Sequence, residues 1–389
     1  MKKALLGTSA VALATAYAST ASAAEFEVRV GGYMEQFVAY ADSDVDNISG
    51  TDFDGVDSKQ DAEIHFKPII TLDNGIEIGA DVQLEANTAG DVIDESFLRI
   101  KGSFGEVLLG SENSAGYKMT FAAPDVTFLN VNSGSTTAFI PFSGTNVGTI
   151  AGSPAAVAVG ANLFRATLGT TFLENGANND AQRITYFTPR FAGVQLGVSY
   201  ARDGLQDSNA QVNIENVALS NIVDFGANYV NSFGDIDVAL SGRYGVAFGD
   251  GGSDPTIFAA GANVGFAGFT IGGSWAEQNN SGGGASSGSA DVLDGTAWDV
   301  GISYETGPWG FSFTYFEGEN VNNESATALT GNDEELQQFL VGAKYKLAKG
   351  VDLNAFGAYV DFEEETGDAG GAGDDVDGFI IGTGIKISF

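Results

Sequence analysis

The sequence predicts an all-β fold, a transmembrane antiparallel barrel of about sixteen strands. Three observations carry that expectation. Segment after segment alternates apolar and polar residues with a period of two, the mark of strands with one face in an apolar medium and one in water. No stretch after the first residues approaches the roughly 18 consecutive apolar residues of a spanning helix, although 43% of the chain is hydrophobic and it carries 28 Phe and 12 Tyr. Short turns alternate with long acidic or Gly/Ser-rich loops, the asymmetry of a barrel with short turns at one rim. A soluble sandwich would need polar outward strand faces.

The first residues stand apart. Met1-Lys2-Lys3, the apolar run from Ala4 to about Tyr17 and the small residues Ala21-Ser22-Ala23 read as a secretory leader over 1–23, which sets the chain on an export route. The chain has no Cys, so the sheet rather than disulfides must hold the exported fold. A net charge of −34 argues against nucleic acid as a partner and favours attraction of cations.

The first strand, about Phe26–Tyr40, leads into a loop carrying Asp42, Asp44, Asp46, Asp52, Asp54 and Asp57. In the second, Lys59–Leu72, Ala62, Ile64, Phe66 and Ile70 share one parity, and Asp61, Glu63, His65 and Lys67 the other. Asp73-Asn74-Gly75 is a hairpin signal before Ile76–Glu85. Ser96–Lys101 and Val107–Gly110 follow, joined at Ser103-Phe104-Gly105. After a long interval come Arg183–Phe187 with Val194–Tyr200, Val217–Val230 with Ile236–Phe248, Ile257–Phe266 with Phe269–Ala276, and Ala297–Glu305 with Trp309–Phe316. Leu336–Leu347 with Val351–Phe362, and a last strand Val376–Phe389, complete the set.

The interval from about Glu112 to Asp180 breaks the pattern. It is rich in small residues, interrupted by Pro124, Pro141 and Pro154, and dotted with Tyr117, Phe121, Phe128, Phe139, Phe142 and Phe164. A structureless stretch of that length is uncommon in a compact domain unless functional or disordered, and solvated linkers lack aromatics. It reads as a loop folded back into the barrel to narrow a water-filled pore.

Several segments resemble the trimeric porins of Gram-negative bacteria: Val30-Gly31-Gly32-Tyr33-Met34-Glu35-Gln36, Asp61-Ala62-Glu63-Ile64-His65-Phe66, Ser111-Glu112-Asn113-Ser114-Ala115-Gly116-Tyr117, and Arg183-Ile184-Thr185-Tyr186-Phe187-Thr188-Pro189-Arg190-Phe191-Ala192-Gly193. The terminal Phe389 looks like that family's assembly signal. The resemblance covers essentially the whole mature chain. It implies a sixteen-stranded barrel in the outer membrane, a homotrimer, contact with lipopolysaccharide and the barrel-assembly machinery, a third loop folded inward, and passive diffusion of small hydrophilic solutes and ions. Many relatives place a cluster of acids on that loop; here Glu112, Asp125, Glu174 and Asp180 are the acids available, with Tyr117 beside them. A substrate-selective porin and an adhesin-type barrel with a plugged lumen are the alternatives.

Parity singles out a basic wall. If Ile64, Phe66, Leu98, Ile100, Ile184 and Tyr186 face lipid, then His65, Lys67, Arg99, Lys101 and Arg183 face the lumen, as does Arg243 on a later strand. A lipid face excludes charge, which alone would turn them inward, but their grouping on alternate strands also suits a filter for hydrated solutes. Aromatic residues near strand ends (Tyr40, Tyr200, Tyr229, Trp309, Phe389) are expected in interfacial girdles. Asp42-Ser43-Asp44-Val45-Asp46 has the beginning of a calcium loop, but Asn47 stands where the sharp turn needs Gly and no Glu closes it. Solvated charge and weak calcium binding both remain open there. An enzyme is not expected: His65 is the only histidine and no nucleophile is paired with it.

Overall fold

The computed structural model describes residues 26–44, 54–86, 92–140, 166–175, 179–206, 220–248, 254–280, 294–321, 333–364 and 375–389. The expected leader, Asp46, Asp52, Phe142, Phe164, Pro141 and Pro154 lie outside them.

Sixteen antiparallel strands close into one barrel. They are β1 (Glu27–Ser43), β2 (Gly55–Thr71), β3 (Glu77–Glu85), β4 (Ile93–Gly102), β5 (Gly105–Ser111), β6 (Ala181–Phe187), β7 (Val194–Gln206) and β8 (Ser220–Phe233). The second half comprises β9 (Ile236–Phe248), β10 (Thr256–Phe266), β11 (Phe269–Asn279), β12 (Gly295–Thr306), β13 (Trp309–Val321), β14 (Asp333–Ala348), β15 (Val351–Glu364) and β16 (Val376–Ser388). Each strand pairs with its sequence neighbours, and β16 closes on β1 with Tyr33 opposite Ser388. Backbone bonds between Gly32 and Phe389, 3.1 Å in each direction, complete the seam. Closure leaves no unpaired edge, which is what allows a sheet to stand in lipid.

The expected strands are all present, and several run longer on the side of the long loops. The apolar alternation fades where a strand leaves the hydrocarbon, yet its ladder continues: β13 pairs with β14 through Val321 opposite Asp333. The tight turns sit at the other rim. The Gly75 amide donates to the Leu72 carbonyl and the Leu72 amide to the Ile76 carbonyl, each at 2.8 Å, with Asn74 Oδ1 accepting from the Ile76 amide. Between β10 and β11 both turn residues are left-handed, Ala267 at φ 53° and Gly268 at φ 86°, the backbone of a type I′ hairpin whose twist matches its strands.

One parity of the wall exposes large apolar side chains around the circumference, among them Ile64, Phe66, Leu98, Ile184, Leu240, Ile271, Phe313, Val341 and Ile381. This is the outward face. Tyr40, Trp309 and Phe389 share it, exposed at strand ends, and Tyr200 gives its hydroxyl to Asn221 Oδ1 at 2.8 Å. The opposite parity divides into two sectors. On β2, Asp57, Lys59, Asp61, Glu63, His65 and Lys67 follow one another along the inner face, a column with almost no apolar member. On the long-loop half of β1 and on β12–β16 the inner face carries an apolar patch instead: Phe37, Phe316, Leu336, Leu340, Phe356, Val360, Phe362, Val376 and Ile380 are buried in one cluster with Leu129, Val131, Phe139, Ile140 and Leu168. Those last five belong to the stretch between β5 and β6, so an inner face expected to be polar is apolar where this stretch covers it.

Candidate functional site: the inner wall and the β5–β6 stretch

The stretch leaves β5 at Ser111, whose hydroxyl donates to the Asp180 carbonyl, so its two ends are tied together. It then forms a short helix, α1 (Ala115–Met119), capped by Ser114, whose side chain accepts from the Tyr117 amide. Ala115, Gly116 and Met119 are buried. Gly197 and Gly226 face each other in register on β7 and β8, and a Cβ on either would come within 3 Å of Met119 sulfur. Side chains absent from the wall thus make the seat for the helix.

Beneath that seat lies a buried ion network. Arg243 on β9 donates through Nε to Asp224 Oδ2 on β8 at 2.8 Å, and through Nη2 to Ser114 Oγ at 2.9 Å and Glu174 Oε2 at 3.2 Å. Its Nη1 donates to the Leu173 carbonyl. Asp224 Oδ1 accepts from the Gly116 amide at 2.5 Å, and Glu174 Oε1 from the Ser114 amide at 2.8 Å. Arg183 joins at 3.9 Å from Glu174 and donates to the Asn179 carbonyl at 2.7 Å. The arginine side chains are only 1% and 3% exposed. Two members of the expected basic wall therefore lie beneath the β5–β6 stretch, matched to carboxylates, and offer no free charge to a solute.

Further along, the stretch is bonded to wall side chains one after another. The Phe121 amide donates to Ser241 Oγ at 2.9 Å, the Ala123 amide to Asp299 Oδ2 at 3.0 Å and the Val126 amide to Ser312 Oγ at 3.2 Å. Asn132 Nδ2 reaches Asp299 at 2.7 Å, Thr136 Oγ1 reaches Gln338 Oε1 at 2.5 Å, and Gln338 Nε2 donates to the Val131 carbonyl at 3.0 Å. Thr171 and Ser274 share a 2.6 Å bond. These wall residues were not singled out from sequence. A solvated inner face is polar as well, so parity alone does not distinguish them from water-facing residues.

The expected loop acids are placed as anchors. Glu112 is buried and pairs with Lys118 Nζ at 2.7 Å. Glu174 holds both arginines, and Asp180 is buried beside Asn179. Asp125 Oδ1 accepts from the Thr127 amide at 2.9 Å and Ser312 Oγ at 2.9 Å. Its burial pushes the carboxyl above the usual range, against the lowering effect of these donors. Tyr117, on the side of α1 away from the wall, packs on Phe172 with ring centroids 5.4 Å apart.

The other members of the expected basic wall sit on β2 and β4, where no described residue of the β5–β6 stretch is bonded to them, and His65, Lys67 and Arg99 each have an acid in reach. His65 lies 3.3 Å from Glu63 and 3.7 Å from Asp81, and Lys67 3.0 Å from Asp81. Arg99 pairs with Glu106, and Lys386 with Glu35. Lys101 is exposed and opposite Glu106 in register. A cavity of about 80 Å³ is lined by Arg29, Lys67, Asp81 and Arg99. Asp42 accepts from the Tyr40 hydroxyl at 3.0 Å, and the described residues contain no group of three or more His, Cys, Asp or Glu able to hold a metal.

A closed sixteen-strand barrel with an apolar exterior and a charged inner column is the architecture of an outer-membrane channel. The comparisons agree. The family model described as Gram-negative porin matches residues 8–365, and the chain belongs to that family. Among solved structures, the anion-selective porin from Comamonas acidovorans aligns with a TM-score of 0.57 at 16% identity, over 94% of this chain and 100% of that one. The trimer form of OmpT, an outer membrane protein of Vibrio cholerae, gives 0.56 at 15%, over 94% and 99%. The outer membrane channel DcaP of Acinetobacter baumannii gives 0.56 at 14%, over 94% and 97%. No curated protein matches the chain in sequence.

Proposed function

We propose that this outer-membrane channel passes small hydrophilic solutes and ions by passive diffusion, with a weak preference for cations. The observation that carries the reading is the division of the inner face into two sectors. The described part of the β5–β6 stretch lies against the apolar sector, and the water path runs along the charged column of β2–β4 and the turn-side end of β1. Hydrated ions gain from paired charges at such a wall. Acids outnumber bases there: Glu35, Asp57, Asp61, Glu63, Glu77, Asp81, Glu85 and Glu106 share the inner parity with Arg29, Lys59, Lys67, Arg99, Lys101 and Lys386. The Comamonas relative is anion-selective, so the sign of the preference is a property of each chain's own wall.

The working form is a homotrimer in contact with lipopolysaccharide at its outer rim. On the outward face of β1–β2, Gln36 Nε2 donates to Ser58 Oγ at 2.8 Å and to the Lys59 carbonyl at 2.9 Å, with Gln60 opposite Gln36 in register. Polar side chains midway along a lipid-facing wall are costly, and a second copy laid against β1–β2 would remove the cost. The Vibrio relative has a trimer form. A planar-bilayer recording tests the function: stepwise ohmic conductance in groups of three is expected. A barrel that inserts without conducting would leave the plugged, adhesin-type reading in its place.

A further inference from the structure

Midway along β1–β3 the inner face carries two like-charged cross-strand pairs side by side, Glu35 opposite Asp61 and Glu63 opposite Glu85. Like charges directly opposite one another destabilise a sheet, and a cation between them offsets that cost. Part of the answer is built in. The Lys386 ammonium, reaching from β16, is bonded to Glu35 and lies 4.5 Å from the centroid of the Tyr33 ring. Tyr33 stands opposite Glu63 in register, one pair along the same face. Asp61 and Glu63 have no such ammonium: among the described residues neither pairs with a Lys or Arg. Asp61 accepts from the Tyr33 hydroxyl at 3.3 Å, and Glu63 Oε2 lies 3.3 Å from His65 Nε2. Glu63 is only 9% exposed, and its Oε1 is buried with no hydrogen-bond partner.

We propose that Tyr33, Asp61 and Glu63 form a subsite for organic ammonium solutes, the primary amines and diamines among the cations that pass through the pore. The inference rests on the reading of the chain as an open channel and names the solute class for which this part of the wall is built. Lys386 shows what the patch accepts, an ammonium held by a carboxylate and laid against an aromatic ring. An ammonium carries three N–H donors and no acceptor. The exposed Asp61 carboxylate and Glu63 Oε1 take two of them, and the half-buried Tyr33 ring is the apolar surface for the carbon stem. An inorganic ion has no comparable use for the ring, and the described acids offer no group of three able to hold a metal.

The test is a planar-bilayer recording of the native oligomer in potassium chloride, titrated with diaminobutane or with magnesium as a probe of equal charge. Diaminobutane should reduce the potassium current at concentrations where magnesium does not. Tyr33→Leu should raise its half-blocking concentration by about threefold, the loss of one ring contact, while Tyr33→Phe keeps the native value. Asp61→Asn should raise it by a similar factor. That substitution alters an exposed side chain, so it carries the test should Tyr33→Leu not assemble, and each variant's potassium conductance reports an intact barrel. Equal reduction by the two probes, or a diaminobutane effect unchanged in Tyr33→Leu or in Asp61→Asn, overturns the subsite. A native oligomer with no potassium current at all refutes the channel reading instead.

Discussion

An arginine in the wall of a channel can set the field that a passing ion meets or can hold another part of the chain in place, and Arg243 has the geometry of the second. It is bonded to Asp224, Glu174, Ser114 and the Leu173 carbonyl. Removing one member of a buried ion pair strands the other and costs about 3–5 kcal/mol. Arg243→Ala should therefore release α1 and the Leu173 region, seen as a larger and noisier single-channel conductance; an unchanged conductance would refute the anchoring role. Asp125 gives a pH dependence of definite sign. Its folded-state carboxyl is raised by burial, so its contribution is fully present below the ordinary carboxylate range and is lost as pH rises through the raised value. Asp125→Asn should raise the melting temperature at neutral pH and make no difference in acid. These roles were only partly legible in the sequence. Parity turned Arg183 and Arg243 inward correctly, but a period-two pattern says nothing of what covers a side chain once it points inward.

At the scale of elements, the sheet was legible because a barrel in lipid must write its wall as alternation. Each of β1–β16 falls on a segment with that pattern, and the turns fall on Asn74-Gly75, Gly234, Gly268, Gly307 and Gly350, all five glycines left-handed in the structure. The inner apolar patch on β12–β16 was not legible. Phe316, Leu336 and Ile380 break the rule that one parity is polar, and they do so because Leu129, Val131 and Ile140 cover them. The docking of α1 depends on missing side chains as much as on present ones. A Cβ at Gly116 would stand 2.3 Å from Asp224 Oδ1 and 2.4 Å from Arg243 Cγ. Gly116→Val is thus expected to unseat the helix and raise the conductance without altering the β-dominated far-UV circular dichroism. A loss of the β signal would mean instead that the helix is needed for the barrel to form.

For the whole molecule, two charge distributions compete over selectivity. Along the β2–β4 wall, Lys67 and Arg99 lie within reach of Asp81 and Glu106, so their local field is largely matched. Across the chain, the net charge of −34 enriches cations at the mouths. The Debye length decides how far that excess reaches, at about 8 Å in physiological salt and about 30 Å at 0.01 M. Cation preference should accordingly be weak in concentrated salt and grow on dilution. Arg183 and Arg243, being covered, should contribute to neither regime except through the position of the stretch they hold. Lys67→Gln together with Arg99→Gln frees Asp81 and Glu106, and should raise cation preference most in concentrated salt, where only near charges act. Zero-current potentials across a fixed salt ratio, taken at several mean concentrations, measure both effects. Anion preference at every concentration would show that the residual basic charge of the β2–β4 wall dominates the acidic excess of the chain.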